Sequence, residues 1–480
     1  MATKKLKSNG IYFTGMSSED VTGSQYYIRF NDVQLLLECG LHQSASNDYL
    51  DSYRINSAKY KFKPKELDYV FACHTHIDHI GCIPRLVKQG FNGKIIVTKE
   101  TAKLMKPLLF NSCAIVQEEA VVLSKRYGRN YTPLYDENDV RKTLELIEVY
   151  EEYDKLYKLN DTVSFKWLHN SHCIGAAQLL LSLNSGVSKR KILYTSDLGA
   201  LKPKNHYVTD TVIPNSFQDI AIIESTYGDS KRETGKKRNF DVKHLESAIN
   251  TVIERKGTAI LPCFSFSRTQ ELLTTLYDIY GNNADFKTPI FVDSKLSCDI
   301  SHLYSHLLCG KESEQWDKVH QWTNVHFIEE KEESKQIIKS DIPKIVISSS
   351  GFCTNGRVIG YLKKYLTDQN SMIIFSGFVG DNSSYLSYRI KNYREFKTIK
   401  VNGEIIPNRA DCISLSSFSS HAGFNDLVKY GSSLNTNKLV LVHGSKEAKQ
   451  CLSKALEKAI SQNNKTYKVI ESHKDMVIRL

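Results

Sequence analysis

The chain has 480 residues, more than the ~250 to 300 at which a single hydrophobic core usually stops growing, so its length predicts two domains, side by side or one inserted into the other. It is 41% hydrophobic and 24% charged, and no apolar run approaches the ~18 residues of a membrane span, which is typical of a soluble protein and excludes a membrane-spanning one. The basic segment 1–7 is not followed by an apolar stretch, so it does not resemble a secretory signal and a cytoplasmic location is expected.

The formal net charge of +11 favours polyanionic partners such as nucleic acids, although charge alone is weak support. The eleven cysteines include no Cys-x-x-Cys pair. An odd number of scattered thiols is typical of a reduced cytosolic enzyme rather than of a disulfide-bonded secreted domain.

The first part of the chain alternates short apolar segments with turns, which predicts a β-meander that leads into mixed strands and helices. Strands are predicted at 10–15, 25–30, 33–37, 67–73 and 94–98, and helices at 83–90, 99–127 and 136–156. The two long helices are expected to form a layer that covers the sheet.

From about residue 229 onwards, long helical segments alternate with strands, which predicts a parallel α/β sheet. The later strands are predicted at 163–168, 177–182, 191–195, 220–223, 258–262, 289–292, 344–348, 372–376 and 438–442. The basic segment 229–238 marks the change and is interpreted as a solvated loop, with contact to phosphates as the alternative.

Four side chains able to bind a metal stand within six residues, in the sequence His74-Thr-His-Ile-Asp-His79. Three imidazoles and one carboxylate are N and O ligands of the kind that Zn²⁺ prefers, and a turn that leaves strand 67–73 can direct them at one point. A single structural zinc usually takes four ligands, often thiolates. The density of this run therefore indicates two metals that are completed by residues elsewhere.

Three further candidate ligands, His172, Asp197 and His443, each follow or flank a predicted strand. One such residue alone is more often structural. Strand ends at one edge of a sheet converge, however, so these residues and the His-rich run together predict a metal site.

The run at 74–79 with His172, Asp197 and His443 resembles the metallo-β-lactamase fold. The strings Glu224-Ser-Thr-Tyr-Gly228, Ser419-Ser-His-Ala422 and Val442-His-Gly444 resemble the β-CASP branch of that fold, which contains nucleases. The resemblance extends from about residue 12 to residue 443. Within the family, the chain is similar to compact nucleases of mRNA 3′-end processing. The resemblance implies an α/β fold: an αββα metallo-β-lactamase sandwich, formed by 1–228 and 412–480, with an inserted β-CASP α/β cap at 229–411.

Carried over to this sequence, the resemblance implies two Zn²⁺ per chain. His74, His76 and His172 would bind one, Asp78, His79 and His443 would bind the second, and Asp197 would bridge both. A hydroxide between the metals would be the nucleophile, and both metals would neutralise charge at the phosphate under attack. Asp78 is counted with the catalytic residues as well as with the ligands.

The same resemblance implies that His421 protonates the leaving oxygen and that Glu224 orients His421. A carboxylate beside an imidazole raises the pKa of the imidazole and selects its tautomer. His443 indicates RNA, since DNA-cleaving members typically carry Val at this position. The expected function is a zinc-dependent ribonuclease that hydrolyses phosphodiester bonds of single-stranded RNA. A DNA or small-molecule hydrolase of the same fold, and a non-catalytic scaffold for a ribonuclease partner, are the alternatives.

Two strings in the cap, 261–271 and 349–357, resemble segments that line the RNA cleft of the family. They carry the predicted substrate-binding residues Arg268, Arg357, Ser349 and Gly351. The guanidinium groups could hold phosphates bidentately, or each could cap a helix or pair with a nearby acid.

The sequence departs from the family pattern in two places. Glu38 stands where the family has Asp, which should shift the hydrogen bond that this carboxylate makes to a ligand. The family's Gly-Thr-Leu-Gly-Arg string is replaced by Ser384-Tyr-Leu-Ser-Tyr388, which loses both glycines and the basic residue.

The chain ends at Leu480, soon after the last motif, and this favours internal cutting over exonucleolytic decay. No membrane partner is expected, and a homodimer is left open.

Overall fold

Two seven-stranded sheets face each other in the computed structural model, which describes residues 8–44, 49–229, 235–380 and 382–480. The strands in chain order are β1 (Gly10–Phe13), β2 (Tyr26–Phe30), β3 (Val33–Leu37), β4 (Tyr69–Phe71), β5 (Lys94–Val97), β6 (Ile147–Val149), β7 (Tyr157–Lys158), β8 (Val163–His169), β9 (Ala177–Asn184), β10 (Lys189–Tyr194), β11 (Gln218–Glu224), β12 (Thr258–Pro262), β13 (Ile290–Val292), β14 (Val325–Phe327), β15 (Lys344–Ser348), β16 (Met372–Phe375), β17 (Thr398–Val401), β18 (Glu404–Pro407), β19 (Asp411–Ser414), β20 (Thr436–Val442), β21 (Lys468–Glu471) and β22 (Val477–Arg479).

Fourteen α-helices are found in the described part of the chain. They are α1 (Tyr49–Ser57), α2 (Ile77–Ile80), α3 (Ile83–Lys88), α4 (Lys99–Tyr127), α5 (Glu137–Glu145), α6 (Gly235–Glu254), α7 (Arg268–Tyr280), α8 (Lys295–Leu307), α9 (Gly310–His320), α10 (Lys331–Lys339), α11 (Val358–Tyr365), α12 (Leu386–Lys391), α13 (Phe424–Ser433) and α14 (Lys446–Gln462).

The first sheet has the order β22-β1-β2-β3-β4-β5-β6 and the second has the order β21-β20-β11-β10-β9-β8-β7. Strands β1, β2 and β3 form the predicted antiparallel meander, and β3 to β6 pair in parallel. In the second sheet β10, β11 and β20 are parallel, and β8 points the same way because both it and β10 are antiparallel to β9. The carboxyl ends of these four strands therefore lie at one edge.

Apolar side chains fill the space between the two sheets. On β8 the residues Val163, Phe165 and Trp167 are buried and alternate with less buried ones, as a strand with one face in the core requires. Helix α4 covers the outer face of the first sheet through Met105 and Leu109. Helices α13 and α14 cover the second sheet through apolar residues that pack on β11 and β20. The four layers confirm the αββα prediction.

The third sheet, in the order β14-β13-β15-β12-β16-β19, is parallel at every pairing. One of its faces packs on α6 to α9 and the other on α10 to α12, so this is the predicted α/β cap. The apolar cluster on the first face also includes Leu104 and Leu108 of α4. The cap and the sandwich therefore share this one apolar cluster.

The last strands of the chain return to the sandwich: β20 pairs with β11, and β22 pairs with β1. The cap is thus inserted between strands of the sandwich. Its limits at 229 and 411 stay a prediction, but β19 (Asp411–Ser414) pairs with β16 of the cap sheet and crosses the predicted boundary.

The helix predicted at 136–156 is wrong in its second half. Helix α5 begins after a capping box at Asp136 and ends at Glu145, and Ile147–Val149 then forms β6 against the edge of β5. The apolar positions 140 and 144 fit a helix, whereas Ile147 and Val149 are β-branched and alternate as in a strand.

The basic segment 229–238 was interpreted as a loop. Residues 230–234 of this segment lie outside the described residues, and Arg238 belongs to α6.

Candidate metal centre

The candidate ligands come from loops that follow parallel strands of both sheets. The run at 74–79 follows β4 in the first sheet, with Asp78 and His79 in the short helix α2. In the second sheet His172 follows β8, Asp197 follows β10 and His443 follows β20. Because these strands point the same way within each sheet, the ligands meet at one edge of the sandwich.

Two glycines allow these loops to approach closely. A Cβ atom on Gly40 would lie 1.6 Å from the backbone oxygen of Asp78, and one on Gly199 would lie 2.3 Å from the backbone nitrogen of His172. Any larger residue at either position would displace a ligand loop.

One group of potential ligands comprises His74, His76, His172 and Asp197. The Oδ2 atom of Asp197 lies 3.6 Å from Nε2 of His74 and 3.6 Å from Nε2 of His172. The Nε2 atom of His172 is 3.1 Å from Nδ1 of His76. These four ligand atoms surround a single point.

A second group comprises Asp78, His79, His443 and again Asp197. The other carboxylate oxygen of Asp197, Oδ1, lies 3.1 Å from Nε2 of His79 and 3.3 Å from Nε2 of His443. Asp78 Oδ2 is 3.4 Å from Nε2 of His443. Asp197 thus presents one oxygen to each group, as a bridging ligand does.

Both groups fit divalent metal ions. Ligands bound tetrahedrally at ~2.0 to 2.1 Å lie about 3.3 Å from one another, close to the separations above. The Nε2 atom of His74 is buried and has no hydrogen-bond partner among the described residues. Buried polar atoms normally have a partner, and a cation would supply it.

The charge states also suit metal binding. Burial lowers the pKa of His74 and His172 well below the usual value and lowers that of His76 to about 4, so these rings are neutral as ligands must be. Burial opposes the charge on Asp197, yet the nearby imidazoles, first His443 and then His79, hold its pKa well below the usual range. The three imidazoles of the first group are therefore neutral. In the second group Asp197 and then Asp78 outweigh burial and hold the pKa of His79 well above its usual value, so a cation bound there would replace the proton of His79.

Hydrogen bonds outside the ligands orient them. The hydroxyl of Ser196 lies 3.0 Å from Nδ1 of His74, and that of Thr226 lies 3.0 Å from Nδ1 of His443. If each Nδ1–H donates to its hydroxyl, both Nε2 lone pairs point into the centre. Ser196 directly precedes Asp197, and Thr226 lies two residues after Glu224 within the string 224–228, a signal that sequence reasoning did not use.

Glu38 is the buried support of both ligand groups. Its carboxylate accepts hydrogen bonds from Ser196 Oγ at 3.0 Å and from the backbone N–H of Cys73 at 3.2 Å. Its Oε1 also lies 3.6 Å from Nδ1 of His79. Glu38 has a left-handed φ of 58°, so the loop after β3 takes an unusual conformation to place this carboxylate.

Replacing Glu38 with Gln should weaken metal binding by about tenfold to a hundredfold, the range seen when partners of metal ligands are removed. An amide puts an NH₂ group where donors from Cys73, Ser196 and His79 now converge on two acceptor oxygens. The measurement is metal affinity by competition with a chelator. Glu254→Gln, an exposed carboxylate at the end of α6, is the control and should not change it. Equal affinity in wild type and Glu38→Gln would contradict the supporting role.

His421 lies at the rim of the centre and is bonded to Glu224. The imidazole Nδ1 is 2.9 Å from Glu224 Oε1, and Nε2 is 3.9 Å from Asp197 Oδ2. Glu224 is fully buried and accepts hydrogen bonds from the backbone N–H groups of Leu198 and Thr226, both at 2.9 Å. Burial opposes a charge on His421, but Glu224 and then Asp197 outweigh it and raise its pKa to about 9. His421 is therefore a protonated imidazole beside the ligands, with a side chain that is 21% exposed to the cleft.

The chain matches three protein families in succession. Residues 19–149 match the metallo-beta-lactamase superfamily, residues 269–384 match the Beta-Casp domain, and residues 405–467 match the Zn-dependent metallo-hydrolase RNA specificity domain. The chain belongs to the β-CASP family of the metallo-β-lactamase superfamily. It is therefore a metal-dependent hydrolase, as predicted.

Two relatives and one solved structure place the chain among known proteins. It is 26% identical over 446 residues to Ribonuclease TTHA0252 of Thermus thermophilus, which covers 92% of this chain and 94% of that one. It is 22% identical over 475 residues to Endoribonuclease YSH1 of Eremothecium gossypii, covering 95% of this chain and 58% of the relative. A crystal structure of a protein of unknown function from Enterococcus faecalis V583 shares the fold with a TM-score of 0.53 and 13% identity, covering 98% of this chain and all of that one.

None of the helices in the described ranges is long and apolar enough to cross a membrane.

The predicted substrate-binding arginines of the β-CASP cap are both paired within the protein. Arg268 Nη1 donates to Glu271 Oε2 at 2.5 Å. Arg357 donates to Asp293 Oδ1 at 2.8 Å and to two backbone oxygens, those of Ile328 and Glu329. The geometry favours the alternative reading, in which each guanidinium stabilises the cap. Their phosphate-binding role stays a prediction.

Ser349 and Gly351 lie in the loop that follows β15. The hydroxyl of Ser349 donates to Ser294 Oγ at 2.8 Å, and a Cβ on Gly351 would lie 3.5 Å from the ring of Phe264. Gly351 therefore packs on an aromatic side chain of the neighbouring loop. A substrate contact for either residue stays a prediction.

Replacing Arg357 with Ala should lower the free energy of unfolding by about 3 kcal/mol, because it leaves the fully buried Asp293 without its ion-pair partner. Urea denaturation measures this loss. Arg394→Ala, which removes an exposed arginine of the cap, should change stability by less than about 0.5 kcal/mol. A higher KM for substrate with unchanged stability would instead show that Arg357 holds phosphate.

Sequence reasoning missed two cations beside the centre, Lys202 and Lys204, which line a narrow opening next to His172. Arg238, from the basic segment 229–238, lines the same opening and pairs with Glu271. The two lysines share one loop and Arg238 lies in α6, so only the fold brings the three together.

Proposed function

We propose that this chain is a two-zinc ribonuclease that cuts single-stranded RNA internally. The observation that carries the proposal is the pair of four-residue ligand groups that share Asp197, with the protonated His421 held beside them by Glu224. His74, His76 and His172 would hold one Zn²⁺, Asp78, His79 and His443 would hold the other, and Asp197 would contact both. When bound, two such ions lower the pKa of a water and neutralise charge on a phosphate.

The residues of the chain supply the remaining chemistry. His421 donates its Nε2 proton to the oxygen that leaves, because its Nδ1–H is bonded to Glu224 and Nε2 lies on the side of the ligands, 3.9 Å from Asp197 Oδ2. Asp78 takes part in catalysis through its carboxylate, whose Oδ2 atom lies 3.4 Å from Nε2 of His443. Lys204 at the opening attracts the negatively charged backbone of the substrate, whereas Lys202 beside it pairs with Asp210.

RNA is favoured over DNA because His443 stands where the resemblance implies Val in DNA-cleaving members. The names of the relatives from Thermus thermophilus, a ribonuclease, and Eremothecium gossypii, an endoribonuclease, support RNA and internal cutting. A complete ligand set also argues against a scaffold without activity.

The proposed location is the cytoplasm. All eleven cysteines are free thiols, which supports this location. Whether the chain forms a homodimer stays a prediction.

The test is incubation of the zinc-loaded protein with labelled single-stranded RNA and DNA of the same sequence. We expect cutting of RNA, and cutting of DNA alone would overturn the proposal. The variant with Asp78 and His79 both replaced by Ala serves as background, because any cleavage it retains comes from a contaminant. Mapping the cuts on 5′-labelled RNA with a monophosphate or a triphosphate end tests the mode. Internal cuts that ignore the 5′ end support an endonuclease, and stepwise release of nucleotides contradicts it.

A further inference from the structure

Four aromatic side chains meet at the carboxyl edge of the β-CASP cap sheet. Phe264 follows β12, Phe352 follows β15, and Phe378 and Tyr385 follow β16. The ring centroids of Phe352 lie 5.5 Å from those of Phe264, 6.3 Å from Phe378 and 5.6 Å from Tyr385. Because β15, β12 and β16 are neighbouring parallel strands, the fold itself brings these loops together.

This cluster presents aromatic surface to solvent. Phe264 is 49% exposed and Phe378 is 50% exposed, while Phe352 and Tyr385 are partly buried beneath them. Large apolar side chains grouped on a surface, with polar residues around them, mark binding sites rather than chance exposure. The surrounding residues are hydroxyls and amides, among them Ser350, Thr354, Asn355, Asn382 and Ser383.

The cluster is continuous with the metal centre. Phe266, two residues beyond Phe264 in the loop after β12, packs its ring edge-on against His76 with centroids 5.6 Å apart. One loop of the cap therefore connects a metal-ligand histidine to the exposed aromatic rings. The loop that carries Phe264 therefore also contacts the metal centre.

The chemistry of the cluster suits nucleic-acid bases rather than a charged protein surface. The segments 263–268 and 349–357 contain no carboxylate and one arginine each, and the third segment, 377–385, contains one carboxylate, Asp381. The three loops together therefore carry little negative charge and are compatible with a polyanion. Tyr385 also occupies the string in which the family's Gly-Thr-Leu-Gly-Arg is replaced. There the chain carries two tyrosines, Tyr385 and Tyr388, in place of Thr and Arg, and a tyrosine ring offers a stacking surface.

We propose that Phe264, Phe352, Phe378 and Tyr385 form a platform on which unpaired bases of single-stranded RNA stack as it enters the metal centre. The inference rests on the proposed function, because it takes the substrate to be RNA. It adds that the cap recognises base faces, with little preference for sequence. Every base has a π face, so stacking selects unpaired strands over duplexes.

The test measures binding without cleavage, by fluorescence anisotropy of a labelled 2′-O-methyl single-stranded oligonucleotide and of an abasic oligomer with the same backbone. Phe264 and Phe378 are changed together to Ala, because both are exposed and their loss leaves Phe352 covered by Tyr385. We expect Kd for the base-bearing strand to rise about tenfold or more, the cost of one or more lost stacked bases. Wild type and variant should bind the abasic oligomer equally weakly.

Two further variants sharpen the result. Phe378→Trp keeps an aromatic face and should hold Kd within about twofold of wild type. Phe217→Ala removes an exposed phenylalanine that precedes β11, at the opposite end of that strand from Glu224, and should leave Kd unchanged.

Three outcomes would overturn the platform: equal Kd for the base-bearing strand in wild type and double variant, the same loss for the abasic oligomer, or a change of oligomeric state by light scattering. The last would assign the rings to an interface between copies. Failure of the proposed function would give a different result, namely binding that depends on Phe264 and Phe378 but no cleavage of RNA. That result would contradict the ribonuclease proposal and would not contradict the platform.

Discussion

Asn in place of Asp197 should lower kcat for RNA by at least on the order of 10³-fold and should leave the protein with less than its full metal content. The physical reason is the position of this one carboxylate, whose Oδ2 faces His74 and His172 while Oδ1 faces His79 and His443. An amide keeps the shape but replaces a negative oxygen with an NH₂ group, which repels a cation. Both metal groups are therefore weakened by a single substitution.

The measurement combines kcat on single-stranded RNA with metal content by mass spectrometry after dialysis, and circular dichroism confirms that the variant is folded. Asp161→Asn is the matched control, because Asp161 is fully exposed on a hairpin and, among the residues that the structure describes, forms its ion pair with a surface lysine, Lys158. It should match wild type in both readouts. If Asp197→Asn retained two ions per chain and wild-type kcat, the shared-ligand arrangement would be wrong.

His421→Ala should reduce kcat for RNA by about 10² to 10⁴-fold, the usual contribution of a positioned acid, while metal content stays near that of wild type. The ribose oxygen that leaves is a strong base and needs a proton. An aryl phosphodiester such as bis(p-nitrophenyl) phosphate releases a weakly basic phenolate that leaves without one. The variant should therefore lose far less activity on the aryl ester than on RNA.

The contrast between the two substrates separates an acid from a residue that merely positions a ligand. His326→Ala, an exposed histidine at the edge of the cap sheet, is the control and should leave both activities intact. Equal losses on RNA and on the aryl ester would show that His421 acts through the metals or through the fold. Glu224→Gln should follow the pattern of His421→Ala with a smaller loss, because it removes the carboxylate that raises the pKa of His421.

Much of the fold follows from local patterns in the chain. The meander of β1 to β3, helix α4 and the cap strands β12, β13, β15 and β16 were predicted within a few residues, since alternation and helical period are properties of neighbouring residues. The cap strands β14 and β19 were not predicted. The prediction failed where two patterns overlap, at Ile147–Val149. There the open edge of β5 decides the outcome, and no local window contains that edge.

The sequence alone was sufficient to recognise the types of residue at the metal centre and their order along the chain. Metal ligands are defined by side-chain type, and these residues follow predicted strands. Which oxygen of Asp197 faces which histidine, and how Glu38 reaches both His79 and Ser196, depends on how the two sheets are stacked. The same holds for the pairing of Arg357 with Asp293 and for the meeting of Phe264 with Phe378 around Phe352. These contacts join residues tens to hundreds of positions apart, so packing alone creates them.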